Sequence, residues 1–199
     1  MEKFTYNKFA NNRKKFLEEN KTKDHIVLEG NNNVLISAPH GVPQVRLGKH
    51  KAHEIGALSA ALYLKDKTKA FLIAKTKCNN DDANFDEQSK YKNSIRKLIK
   101  AKDIKYVIDF HGLASNRECD VNLGIHLGEN IKNDIELFNK LNEDLISNGF
   151  NIDDVDIDNR SVLYEAISSS HPLFAEMLIK KNANLSTKTV EGLTIFDRA

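Results

Sequence analysis

The sequence predicts an α/β protein: a three-layer mixed sheet with helices on both faces, followed by a C-terminal α-helical segment of a different kind. Three observations carry this. Short apolar runs with a β-branched bias alternate with longer amphipathic stretches, the pattern of strand and helix in turn. Two of those runs, Val34-Leu35-Ile36-Ser37-Ala38-Pro39-His40-Gly41 and Val107-Ile108-Asp109-Phe110-His111-Gly112, end on the same His-Gly pair. After residue 150 the alternation stops and helical periodicity takes over.

Taken in order, Phe4 to Glu19 carries Phe4, Phe9, Ala10 and Phe16 among Lys and Asn, which predicts a short amphipathic helix. Ile26-Val27-Leu28 is a strand, Asn31-Asn32-Asn33 punctuates it, and Val34–Ala38 follows as a second strand, so the two are expected to pair as a hairpin. His40 to Lys51, with Gly41, Pro43 and Gly48, is a loop. Ala52 to Leu64 has Ile55, Leu58, Ala61 and Leu62 at helical spacing, with Glu54 in the first turn. A carboxylate there complements the helix dipole, and that structural role competes evenly with metal ligation.

Ala70–Ala74 is the next strand, and the polar run Asn79–Asp86 after it favours turns and caps. Asp86 or Ser89 is the expected cap of a helix that reaches Lys100, with Tyr91, Ile95, Leu98 and Ile99 inside. The run from Val107 reads as a buried strand ending on His111. Asp109, one residue before Phe110, is expected to point away from that histidine and not to be a ligand. Asp120–Leu127 alternates as a further strand, in which His126 has a structural role. Ile131 to Ser147 is an amphipathic helix with Ile135, Phe138, Leu141, Leu145 and Ile146 on one side, stopped by Gly149.

Thirty Lys and Arg stand against 28 Asp and Glu, spread along all 199 residues, so no nucleic-acid or membrane partner follows from charge. Cys78 and Cys119 have no metal or redox spacing and are expected as free thiols in a reducing compartment. Met1-Glu2-Lys3-Phe4 leads into charged residues without an apolar signal core, and no segment is long and apolar enough to span a bilayer. The expected location is cytoplasmic, or the cytosol of a host for an exported chain.

Buried α/β strands deliver their chemistry at their carboxyl ends. His40 and His111 are so placed, and Glu54 in the intervening segment can fold back beside them. Two imidazoles and a carboxylate are a ligand set for catalytic zinc, which keeps one position open for water. Asp82 and Asn84 leave a third strand end and can orient a polar substrate group. Arg46 can clamp a carboxylate.

The series Ser37-Ala38-Pro39-His40-Gly41, Arg46, Glu54-Ile55-Gly56, Asp82-Ala83-Asn84, Asp109-Phe110-His111-Gly112 and Asp120-Val121-Asn122-Leu123-Gly124 resembles, over about residues 25 to 130, the N-formylglutamate amidohydrolase family. That family is similar in fold to the zinc carboxypeptidases. The resemblance implies zinc on His40, Glu54 and His111, with Arg46 and Asn84 holding a substrate carboxylate. The family pattern also carries a late carboxylate as general base, and Glu118 and Asp120 are the candidates for it here.

From Asp158 the chain changes character. Ser161-Val162-Leu163-Tyr164-Glu165-Ala166 recurs as Thr194-Ile195-Phe196-Asp197-Arg198-Ala199 at an offset of about 33 residues. With Phe174–Ile179, Asn182–Leu185 and Glu191–Thr194 between them, these residues resemble an ankyrin repeat. Val162 and Ile195 stand where that family prefers Pro, and Tyr164 and Asp197 where it prefers His. The expected organisation is residues 1–150 as the hydrolase-like domain and 151–199 as a truncated ankyrin-like segment. One repeat cannot bury its own apolar face, which implies a longer protein or a repeat packed on the preceding domain.

The expected activity is a zinc-dependent amidohydrolase acting on an N-acyl (N-formyl) amino acid or small peptide amide through metal-activated water. The alternative is a catalytically degenerate domain carrying an ankyrin module that binds a protein partner. An ordinary α/β domain with strand-end histidines is the third reading.

Overall fold

The computed structural model describes residues 6–112, 134–148, 153, 159–168 and 172–197. The chain divides into two compact units, Met1–Gly112 and Leu113–Ala199. The expected strand Asp120–Leu127, with His126, Cys119 and the candidate bases Glu118 and Asp120, lies outside the described residues, as does all but residue 153 of the acidic stretch Asn151–Asp158, which the sequence suggests as a connector. Among the described residues no helix is long and apolar enough to cross a membrane.

The first unit is mixed α/β. Helix α1 (Tyr6–Asn20) precedes β1 (His25–Leu28), β2 (Val34–Ala38), the short strands β3 (Gln44–Arg46) and β4 (Lys49–Lys51), helix α2 (Ala57–Thr68), β5 (Phe71–Lys75), helix α3 (Lys90–Ala101) and β6 (Tyr106–Asp109). The main sheet has the order β1-β5-β2-β6. β2 lies parallel to both β5 and β6, while β1 runs antiparallel to β5, so the sheet is mixed.

The expected β1–β2 hairpin does not form. β5 takes the place between them, pairing Ile26 with Ala74 on one side and Ile36 with Leu72 on the other. β5 is buried throughout and, from Phe71 to Ala74, apolar on both faces, and a strand of that kind belongs inside a sheet. The hairpin that does form is β3–β4, inside the stretch expected as a loop, with Val45 opposite His50.

The sheet is covered on both faces. Ile36, Ala38, Leu72 and Ala74 pack with Leu58 and Ala61 of α2 and with Phe16 and Leu17 of α1. Leu35, Phe71 and Ile73 pack with Tyr91, Ile95 and Leu98 of α3. Alternate residues of each strand thus go to opposite layers, as the pleat requires. Ile99, expected with this inner set, is 38% exposed.

Helix α2 begins at Ala57, five residues later than its apolar spacing suggested. Gly56 has φ 88°, a left-handed value that breaks helical continuity and is accessible to glycine at little cost. Glu54 and Ile55 therefore precede the helix, and Ile55 is 73% exposed rather than inside. α3 begins where Ser89 accepts a bond from Lys92 N–H at 3.1 Å, the expected cap. Asp86 instead accepts from Asp82 N–H at 2.9 Å and closes the loop before the helix.

β6 departs from expectation. Its Val107 and Ile108 are 43% and 48% exposed, because β6 ends the described sheet and pairs with β2 alone. Its apolar run serves that pairing, with Leu35 opposite Val107 and Ile36 opposite Ile108.

In the second unit, helix α4 (Ile135–Ser147) starts after Asp134, whose carboxylate caps Leu137 N–H at 3.1 Å. It thus begins four residues later than expected, and Leu141, placed on the inner side by spacing, is 44% exposed. Helices α5 (Val162–Ser168) and α6 (Pro172–Lys180) pack on one another. Leu163, Tyr164, Ala175, Leu178, Ala183 and Ile195 are buried.

Candidate metal centre

The topology creates the site. From β2 the chain crosses through α2 to β5 on one side, then through α3 to β6 on the other. The carboxyl end of β2 is therefore a switch point between two parallel neighbours, the usual place for a ligand in such sheets. His40 follows β2, Asp82 follows β5 and His111 follows β6.

His40, Glu54 and His111 each offer a ligand atom, and these atoms lie within 4.8 Å of one another. His40 Nδ1 is 2.6 Å from Glu54 Oε1, and His111 Nδ1 is 3.2 Å from Glu54 Oε2. The two rings meet edge to face with centroids 5.0 Å apart. Lys51 Nζ stands 3.6 Å from Glu54 Oε1. Glu54 reaches the histidines because Gly56 keeps it out of the helix, so the helix-dipole role is not the one it has.

Gly112 also matters here. Its N–H donates to Glu54 Oε2 at 2.8 Å, and a side chain at this position would start 3.0 Å from Glu54 Cβ. The absence of a side chain allows the approach.

Each Nδ1 faces the centre, and each Nε2 faces another carboxylate. His40 Nε2 is 2.9 Å from Asp82 Oδ1, and His111 Nε2 is 3.1 Å from Asp109 Oδ2. Asp109 does not point away from His111 as expected. Residues two apart share one face of a strand, and that alternation carries on past the end of β6 at Asp109. An outer carboxylate on the second ring nitrogen is the arrangement that orients metal-binding histidines.

Asp82, expected to touch substrate, is fully buried. Its oxygens accept from His40, from Arg46 Nε at 2.8 Å, and from the N–H groups of Asn84 and Phe85, both at 3.1 Å. It holds His40 and shapes its own loop. Arg46 does clamp a carboxylate, but the carboxylate is that of Asp82, and its guanidinium lies 4.9 Å from the Phe85 ring centroid. Asn84 Nδ2 is 3.5 Å from His111 Nε2. The structure thus brings together His40, Glu54, His111, Arg46, Asp82 and Asn84. Asp109 joins them without having been assigned a role from the sequence; its i, i+2 spacing to His111 was the available signal.

The electrostatics suit a cation. Burial raises the Glu54 carboxyl, but bonds from His111, His40 and Gly112 outweigh it and hold the group ionised far below its ordinary range. Asp82 behaves likewise: burial is opposed and overcome by His40, Arg46 and the Phe85 N–H. Asp109 and Glu54 hold a proton on His111 and raise its pKa to about 9. The group can hold a metal ion, with both Nδ1 atoms and Glu54 as donors and the proton of His111 displaced. No family model matches the chain, and no curated protein matches it.

Proposed function

We propose that the first unit is a zinc-dependent amidohydrolase acting on an N-acyl amino acid, with N-formyl as the type case, or on a small peptide amide. The observation that carries this reading is the convergence of two Nδ1 atoms, from the carboxyl ends of the adjacent parallel strands β2 and β6, with the Glu54 carboxylate from the segment before α2. Two histidines and a carboxylate that leave a coordination position open are the donor set of catalytic zinc sites. Bound there, zinc would supply a Lewis acid that lowers the pKa of water toward about 7 and polarises a carbonyl.

The chain's own residues do the rest. Asp82 keeps the Nε2 proton of His40 in place, so that Nδ1 is left for the metal. Asp109 does the same for His111. Asn84 and the guanidinium of Arg46 stand beside this centre as the groups that orient the substrate carboxylate. Glu118 and Asp120 are the proposed general bases, a contribution of roughly a hundredfold or more.

The test is metal content and hydrolysis. The purified chain is expected to carry one zinc and to cleave N-formyl or N-acyl amino acids, and His111→Ala is expected to lose both. Full zinc retention in that variant, by elemental analysis, would overturn the assignment.

A second reading concerns residues 151–199: an ankyrin-like module that binds a protein partner beside a catalytically degenerate domain. The packed helix pair α5–α6, the loop that follows it and the buried Ile195 one period after Val162 favour it. Zinc without hydrolysis, together with a partner captured through residues 151–199, would support this reading over the first.

A further inference from the structure

A separate set of side chains on the α3 face of the sheet has the connectivity of an activated nucleophile. Ser94 lies one turn after Tyr91 on α3, on the same side of the helix, and is half-buried. Its Oγ is 2.8 Å from His25 Nε2, and His25 Nδ1 is 2.6 Å from Asp24 Oδ2. The first of these bonds spans 69 residues and joins α3 to the first residue of β1.

Proton positions follow from the chemistry of the groups. Burial raises the Asp24 carboxyl, but bonds from His25, Lys75 and Asn79 bring it down to about 2, so it is an ionised acceptor. His25 Nδ1 must therefore carry the hydrogen. In the neutral ring Nε2 is then the acceptor, and the Ser94 hydroxyl donates to it. A serine whose proton points at an imidazole held by a carboxylate is the Ser-His-Asp arrangement, recognised by geometry and not by order in the chain.

The arrangement is braced on all sides. Lys75 Nζ, fully buried, donates to Asp24 Oδ1 at 2.8 Å, and Asn79 donates to the same oxygen. The His25 ring meets the edge of Tyr91 at 5.7 Å, and the Tyr91 hydroxyl is pinned by Ser37, Ala38 N–H and the Ile73 carbonyl. Neither His25 nor Ser94 need move for the proton to pass between them.

We propose that Ser94 is a nucleophilic serine, activated by His25 and Asp24, that accepts the acyl group of a small ester. Ser94 Oγ forms the bond to the acyl carbon as its proton passes to His25 Nε2. The ester C–O bond breaks, and the leaving alkoxide takes that proton and departs as the alcohol. The acyl group remains on Ser94.

The full chain, treated with a fluorophosphonate and mapped by mass spectrometry, tests this. With this probe the P–F bond breaks, fluoride leaves, and Ser94 Oγ becomes phosphonylated. Ser94 is expected to label at least about a hundredfold faster than the exposed Ser186, the scale of general-base help. His25→Gln and Asp24→Asn are expected to reduce that rate, and chelator to leave it unchanged. Labelling of Ser94 no faster than Ser186 in the unaltered chain would overturn the proposal, whatever the variants do. So would equal labelling in a folded His25→Gln protein, since the serine would then be only an anchor for α3.

Discussion

Asp82 Oδ1 lies 2.9 Å from His40 Nε2, and both side chains are almost wholly buried. The pair therefore cannot reorient in response to solvent. A ring fixed in this way presents the same nitrogen to the centre at all times.

Asp82→Asn tests that constraint. The amide oxygen can still accept from Arg46, but the amide no longer forces the hydrogen of His40 onto Nε2. Metal affinity is expected to fall about 10- to 100-fold, the usual scale for loss of an outer carboxylate. Competition against a chromophoric chelator measures it, and an unchanged affinity would refute the role.

Metal uptake should release a proton. His111 holds one up to about pH 9 when metal-free, and ligation needs the neutral ring. Affinity is therefore expected to rise by up to tenfold per pH unit toward pH 9 and to flatten above it. Calorimetry at pH 7.5 in buffers of different ionisation enthalpy should report about one proton released from this residue. The metal-free protein should change in the opposite sense. A raised histidine pKa contributes stability that is complete below its unfolded value of about 6.5 and is lost as pH climbs through 9.

Gly112→Ala should strain the site. The new carbon would begin 3.0 Å from Glu54 Cβ, so one of the two segments must shift. A cost of about 1–3 kcal/mol is expected, typical of overpacking. The denaturant midpoint should fall, and metal should bind more weakly because Glu54 is the residue displaced.

Lys75→Met should be more damaging than its position outside the centre suggests. Lys75 is fully buried between Asp24 at 2.8 Å and Asp81 at 2.6 Å. Removing one partner of a buried ion pair costs about 3–5 kcal/mol. The acid limb should change as well. Asp24 is lowered to about 2, so its contribution is present above pH 3.8 and lost as pH falls through 2. Thermal melts between pH 2 and 5 should show a shallower loss in the variant than in the parent protein.

Much of the centre was legible in the chain because its donors sit at punctuation marks. Two apolar runs that stop on His-Gly mark strand ends, and strand ends of a parallel pair share an edge. Glu54 was found for the right reason but placed in the wrong element. Helical spacing extends through Ile55, and only the left-handed backbone of Gly56 shows where the helix begins. The hairpin expected of β1 and β2 failed because local order cannot reveal that β5 enters between them from some 40 residues later. The outer carboxylates were hidden for the same reason. Asp82 looked like one of several turn-forming acids until folding buried it against His40. Ser94 and His25 carry no local mark at all, since their meeting depends on α3 settling over β1.

The order in which the donors leave the ribosome follows from the strand order of the sheet. His40 and Glu54 emerge early, but the third donor follows β6, the last strand of the first unit to be made. A nascent chain paused in α3 holds two of the three donors and lacks the edge that would align them. Such a polypeptide should bind the ion no better than any pair of surface groups. An ion held by all three donors therefore cannot be taken up before translation has passed Gly112.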